Sequence, residues 1–257
     1  MQKGSFGWYD LMTGDTTTAA RFYKDVIGWD AKDASVGNNT YSIFSIGGAN
    51  VGGLMPIPAE MCVGDTKPPC CWTGYILVDD VDAYAARIKA AGGKIYKDPQ
   101  DVPGVLRFVV VGDPHGAAFI IFKGMSGAPP MAPAPNSVGS IGWHELHAGH
   151  GADAFAFYSK VFGWTKSQAI DMGPMGVYQT FATGGEAVGG MMTKMPDAPM
   201  PFWLYYINVD GIDAAIARTV KAGGKICMGP HQVPTGQWIA TCTDPQGAWF
   251  AMLSSQR

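Results

Sequence analysis

Apolar and polar positions along the chain change period in a fixed order. Residues 6–13 read as a short strand. Residues 16–27 then follow a period of 3.6, which puts Ala19, Phe22, Tyr23, Val26 and Ile27 on one helical face and leaves Gly28 to end the helix. The runs YSIFSI (41–46) and VGGLM (51–55), alternating or apolar between glycine-rich turns, predict strands. A second passage repeats the order, with a strand at 73–78 (TGYILV), a helix at 80–92 (DVDAYAARIKAAG) and strands at 107–111 and 117–122. Each passage is a βαβββ unit.

The whole pattern then occurs again. GWYDLMTGDTTTAARFYKDVIGW (7–29) aligns without gaps to GWHELHAGHGADAFAFYSKVFGW (142–164), VGGLM (51–55) answers to VGGMM (188–192), AAGGKI to KAGGKI, and VGDPHGAAF (111–119) to CTDPQGAWF (242–250). The chain is therefore a tandem duplication, two copies of two units each. Prolines in SGAPPMAPAPNSV favour extended backbone, so domain one is expected at 1–125, a linker at 126–138 and domain two at 139–257.

Composition narrows the functional classes. With 257 residues, 47% of them hydrophobic, each copy can bury its own core. Eighteen basic and twenty-one acidic residues, neither gathered into runs, argue against a nucleic-acid surface. No signal-peptide core opens the chain, and no stretch reaches the roughly 18 apolar residues of a membrane span, so a cytoplasmic location is expected. Five cysteines, an odd number, make a disulfide framework an unlikely expectation; Cys70 and Cys71 are adjacent rather than spaced for zinc, and Cys227 and Cys242 read as buried thiols.

The FY…GW first helix, the AAGG end of the second and the DPxG turn before the last strand, found twice in order, resemble the vicinal oxygen chelate superfamily. That superfamily includes glyoxalase I, bleomycin-resistance proteins and extradiol dioxygenases. The resemblance covers nearly the whole chain outside the linker and is strongest to two-domain glyoxalase-like bacterial proteins. It implies an α+β fold of tandem βαβββ modules, two glyoxalase/bleomycin-resistance-like domains each with a cupped mixed sheet flanked by helices. It also implies a divalent metal in the cup, but the implied ligand positions hold Trp8 and Trp143 on the first strands, Thr73 and Leu204 at the second units, Ile120 and Ala251 on the last strands, and no acid in GGLM or GGMM. Indole, isobutyl and methyl groups do not bind such cations, so neither metal nor cofactor is expected.

One segment resists that conclusion. GWHELHAGHG (142–151) carries His144, Glu145, His147 and His150. Strand alternation puts Trp143, Glu145 and His147 on one face and His144 on the other; the matching face in copy one is Trp8, Asp10 and Met12. His150 aligns with Asp15, a helix-capping position. Glu145 and His147 alone are one ligand short of a catalytic zinc site, which leaves three readings open: a hydrogen-bonded pair in a polar pocket mouth, an acid–base pair, or a remodelled metal site with a third ligand.

Trp72 and Trp203, at corresponding places, are either core or stacking surfaces for a planar ligand. The methionine-rich GGMMTKMPDAPMPFW (189–203) could adapt to an irregular ligand or fill gaps. His115 and His231 read as loop histidines, and Arg107 could reach an anion, although its counterpart is Trp238. The expected function is metal-independent binding of a small apolar or aromatic molecule by Trp8, Asp10, Met12, Trp143, Trp72, Trp203, Ile120 and Ala251. The alternative is a metal-independent lyase or isomerase of glyoxalase type, with Glu145 as general base and His147 as its partner. A third reading is a purely structural role. The expected partner is a small molecule, with no nucleic acid and no membrane, and a homodimer is compatible with the sequence.

Overall fold

A computed structural model describes residues 2–37, 39–62, 66–125 and 132–257, so residues 126–131 of the expected linker lie outside it. The elements of copy one are β1 (Phe6–Thr13), α1 (Thr16–Ile27), β2 (Asp30–Asp33), β3 (Ser42–Ile46), β4 (Ala49–Pro56), β5 (Cys71–Leu77), α2 (Val81–Ala90), β6 (Lys94–Val102), β7 (Leu106–Gly112) and β8 (Ala118–Gly124). Copy two repeats them as β9 (Ile141–Ala148), α3 (Gly151–Phe162), β10 (Thr165–Asp171), β11 (Val177–Ala182), β12 (Ala187–Thr193), β13 (Phe202–Asn208), α4 (Ile212–Lys221), β14 (Lys225–Gln232), β15 (Trp238–Thr243) and β16 (Trp249–Ser254). None of the described helices is long and apolar enough to cross a membrane.

Local chemistry sets the helix ends. Asp15 accepts hydrogen bonds from the Thr17 and Thr18 amides to start α1, and Gly28, at φ 91°, ends it. Asp80 caps α2 through the Ala83 amide. His150 occupies the N-cap position of α3 but does not cap it; its imidazole turns to Asp153, 3.1 Å away.

Each copy forms one eight-stranded mixed sheet, in the orders β2-β3-β4-β1-β5-β8-β7-β6 and β10-β11-β12-β9-β13-β16-β15-β14. Parallel pairs join β1 to β4, β5 to β8, β9 to β12 and β13 to β16. The strands that the hydrophobic pattern left unnamed are the outermost ones. β2 is exposed throughout and β6 nearly so; β6 also carries Pro99, which an edge strand tolerates. Two readings change at the other edge. His231 lies in β14 opposite Ile239 rather than in a loop, and Cys227 is exposed, because β14 turns one side to solvent; only Cys242, on the inner β15, is buried.

Contacts sort the chain into two compact units, each drawing on both copies: Met1–Trp8 with Thr73–Pro129 and Trp143–Leu204, and Tyr9–Trp72 with Pro130–Gly142 and Tyr205–Arg257. In the first, α2 packs on α3, with Tyr84 stacked on Phe162 at 5.7 Å. Around Tyr158 gather Phe119, Trp164 and Trp203. In the second, α1 packs on α4, and Tyr23 is ringed by Trp29, Phe44, Trp72 and Phe250. Every one of these buried indoles finds an acceptor: Trp203 and Trp72 donate to the Tyr158 and Tyr23 hydroxyls at 3.2 and 2.8 Å, and Trp164 and Trp29 to the Gly4 and Gly139 carbonyls.

The DPxG motif is a turn held by its aspartate. Asp113 Oδ1 accepts from the amides of His115, Gly116 and Ala117 at 2.8–3.0 Å, and Asp244 Oδ1 does the same for Gln246 and Ala248. Gly116 and Gly247 adopt φ of 101° and 88°, which other residues resist. Burial pushes both carboxyls above their ordinary range. Asp113→Ala strands three amides at once and is expected to cost about 3 kcal/mol, read as a lowered urea midpoint; an unchanged midpoint would show that water replaces the carboxylate at no cost.

Candidate functional site

Alternation along β9 separates its side chains as expected. His144, Leu146 and Ala148 are buried, whereas Trp143, Glu145 and His147 share the half-buried face. On that face polar groups form a chain. Trp143 Nε1 donates to the Tyr178 hydroxyl at 2.8 Å, and Tyr178 donates to Glu145 Oε2 at 2.9 Å. Glu145 Oε1 lies 2.9 Å from His147 Nε2, although without the alignment a hydrogen bond needs. The His147 ring stacks on Phe202 at 4.5 Å and 5°. Burial, reinforced by the Glu145 charge, raises the Tyr178 hydroxyl well above its ordinary pKa, so it stays a donor.

Copy one builds the same pair. Tyr41 donates to Asp10 Oδ1 at 2.8 Å, and Asp10 is buried, while Met12 stands half-buried where copy two has His147. Sequence reasoning missed both tyrosines. The signal was available, because 41–55 aligns with 178–192 without a gap and pairs Tyr41 with Tyr178. Register explains the glycines that follow. Glu145 faces Gly190 and Asp10 faces Gly53 across parallel strands, and a Cβ at either glycine would collide with the tyrosine that reaches over it. The VGG motif is thus a gap for a phenol.

The remaining candidates fall into different settings. Trp72 and Trp203 lie in the aromatic cores with their N–H groups engaged. Trp8 is half-buried against a wall of Tyr75, Ile120 and Phe122, continued by Leu77, Leu106, Phe108 and Val110. Ala251 is fully buried between Tyr206 and Thr241 on neighbouring strands. Arg107 is taken by Asp82 and Asp101, at 2.8 and 3.0 Å. Of the four methionines in 189–203, Met191 and Met192 are buried and Met195 and Met200 exposed.

At the positions where the resemblance implies metal ligands, the donors do not fit a cation. The Trp8 ring is packed in an apolar wall, the Trp143 nitrogen is a donor already spent on Tyr178, and Thr73, Leu204, Ile120 and Ala251 are buried without a carboxylate or imidazole among them. Among the described residues no group of three or more His, Cys, Asp or Glu side chains is placed to hold a metal.

Tandem βαβββ modules with parallel central pairs, and a concave strand face bearing an aromatic residue and a carboxylate, define a glyoxalase-like architecture. The sequence profile described as Glyoxalase/Bleomycin resistance protein/Dioxygenase superfamily matches residues 5–121 and 140–252, and the chain belongs to that family. It is 33% identical over 255 residues to the Mycobacterium tuberculosis protein named "Putative glyoxylase CFP32", covering 98% of this chain and 95% of that one. It is 32% identical over 261 residues to the anthracycline biosynthesis protein DnrV of Streptomyces peucetius, covering 97% and 93%. In fold it is similar to the Mn(II)-bound glyoxalase of Novosphingobium aromaticivorans, with a TM-score of 0.71 at 18% identity, covering all of this chain and 83% of that one.

Two outcomes test this geometry. Gly190→Ala is expected to cost about 2 kcal/mol by overpacking against Tyr178, and to cost little in a Tyr178→Ala background; equal costs in both would mean the ring does not fill that gap. His144, stacked on Phe6 at 4.2 Å and bonded through Nδ1 to the Val188 carbonyl, is driven down to about 4 by burial. Between pH 6.5 and 4 the unfolded chain therefore binds a proton that the folded one refuses, and stability falls with acidification by at most about 1.4 kcal/mol per pH unit. His144→Phe is expected to flatten that slope in urea titrations at pH 7 and 5, and an unaltered slope would assign the acid lability elsewhere.

Proposed function

We propose that the protein binds a small apolar or aromatic molecule against its concave sheet faces without a metal. The observation that carries this reading is the wall around Trp8: Tyr75, Ile120 and Phe122 backed by four side chains that, like Trp8, stay only partly buried. Apolar side chains left half-open on a concave face are what a receptor for a planar apolar ligand needs. Two relatives named for anthracycline biosynthesis are compatible with an aromatic ligand.

The alternative reading, a lyase or isomerase with Glu145 as general base, draws on the 2.9 Å approach of Glu145 to His147. Against it, one oxygen of Glu145 already accepts from Tyr178, and the approach of the other to His147 lacks hydrogen-bond alignment. That arrangement suits a structural acceptor for Tyr178 better than a base awaiting a substrate proton.

Tryptophan fluorescence of chelator-treated protein, titrated with fused-ring aromatics such as an anthraquinone, is expected to quench saturably. Trp8→Ala and Phe108→Ala are expected to weaken binding about tenfold, about 1.4 kcal/mol, while Glu145→Gln changes it little. No saturable binding, a stoichiometric transition metal held through Glu145 and His147, or turnover abolished by Glu145→Gln would each overturn the proposal.

A further inference from the structure

The face of copy one that carries Asp10 and Tyr41 continues outward across β4, β3 and β2. Gly53 faces both Asp10 and Ile43, and Ile43 in turn faces Lys32, so all four positions point to the same side of the sheet. There Lys32, Asp33, Ala34, Ile43, Ser45 and Asn50 line an open cavity of about 310 Å³, at the small end of the range for ligand sites.

The two charges in this cavity are unequally engaged. Asp33 is committed to the turn after β2, accepting from the Ser35 amide and hydroxyl, and Asp30 on the same strand pairs with Lys24 at 3.0 Å. The Lys32 ammonium forms no hydrogen bond or ion pair among the described residues. The ammonium, the Ser45 hydroxyl and the Asn50 amide supply donors, and Ile43 and Ala34 supply apolar contact.

Copy two fills the corresponding positions differently. Thr180, the counterpart of Ile43, both accepts from the Gln168 amide and donates to the Gln168 carbonyl, and Gln179 donates to that carbonyl too. Ser45 and Asn50 are replaced by Ala182 and Ala187, and β10 bulges between Lys166 and Ala169. Lys166 itself lies over the Phe155 ring.

We infer that this cavity in copy one is a binding site for a small monoanionic carboxylate with an apolar body, Lys32 meeting the carboxylate, Ser45 and Asn50 hydrogen-bonding to it, and Ile43 seating the apolar part. A single lysine beside two aspartates favours one negative charge over the two of a phosphate dianion. The inference is independent of the aromatic receptor proposed above. A lysine on an edge strand also guards against strand pairing between molecules, and the test separates that role.

Isotope-labelled full-length protein is titrated with benzoate, its neutral isostere benzamide and inorganic phosphate, following the amide signals of Lys32, Ser45 and Asn50. Saturable shifts with benzoate are expected, with benzamide and phosphate at least about threefold weaker, the size expected of one exposed ion pair. Lys32→Met is expected to weaken benzoate about threefold, and Asn50→Ala to weaken it without changing charge. Shifts that do not saturate, equal affinity for benzamide, tighter binding of phosphate, or a Lys32→Met variant that self-associates yet binds benzoate normally would each overturn the assignment.

Discussion

Two buried tyrosine hydroxyls organise this molecule. Tyr23 and Tyr158, the second residues of the duplicated FY pairs, are sealed inside aromatic cores, and each takes its hydrogen bond from an indole on the strand that opens the other half of its copy, Trp72 or Trp203. A hydroxyl buried without such a partner costs free energy comparable to a core cavity, so the bond fixes helix and strand together. Burial raises the Tyr23 hydroxyl well above its ordinary pKa, and the hydroxyl oxygen accepts the indole's hydrogen bond whatever the pH. The aromatic rings add edge contacts to Trp72 and Trp203 and stacked contacts to Trp29 and Trp164 that define one arrangement of the core.

Once those cores are set, the opposite strand faces are free for chemistry. In both copies a tyrosine at or just before the start of the third strand of the first unit crosses a glycine to reach a carboxylate on the first strand. The copies differ in what surrounds that pair. Copy two adds His147 stacked on Phe202 and ties its outer strands with hydrogen bonds from Thr180 and Gln179; copy one carries Met12 and has an open, polar cavity around Lys32. A duplicated frame thus presents two unlike surfaces. Family membership does not supply the chemistry of either, because that must come from the side chains present, and the positions that would ligate a metal carry an indole, a threonine and aliphatic groups.

The sequence by itself determined the repeated βαβββ order, the helix caps at Asp15 and Gly28, and the face shared by Trp143, Glu145 and His147, because periodicity and short-range capping act over a few residues. It was silent on β2 and β6, whose polar residues lie on sheet edges and carry no alternation, and it misread Cys227 and His231 for the same reason. Only tertiary structure decided that α1 packs on α4 and α2 on α3, so that each compact unit draws on both copies. Only it placed Tyr178 on Glu145 and Tyr41 on Asp10, since those pairs span about thirty residues and depend on strand register and on the space that a glycine leaves open.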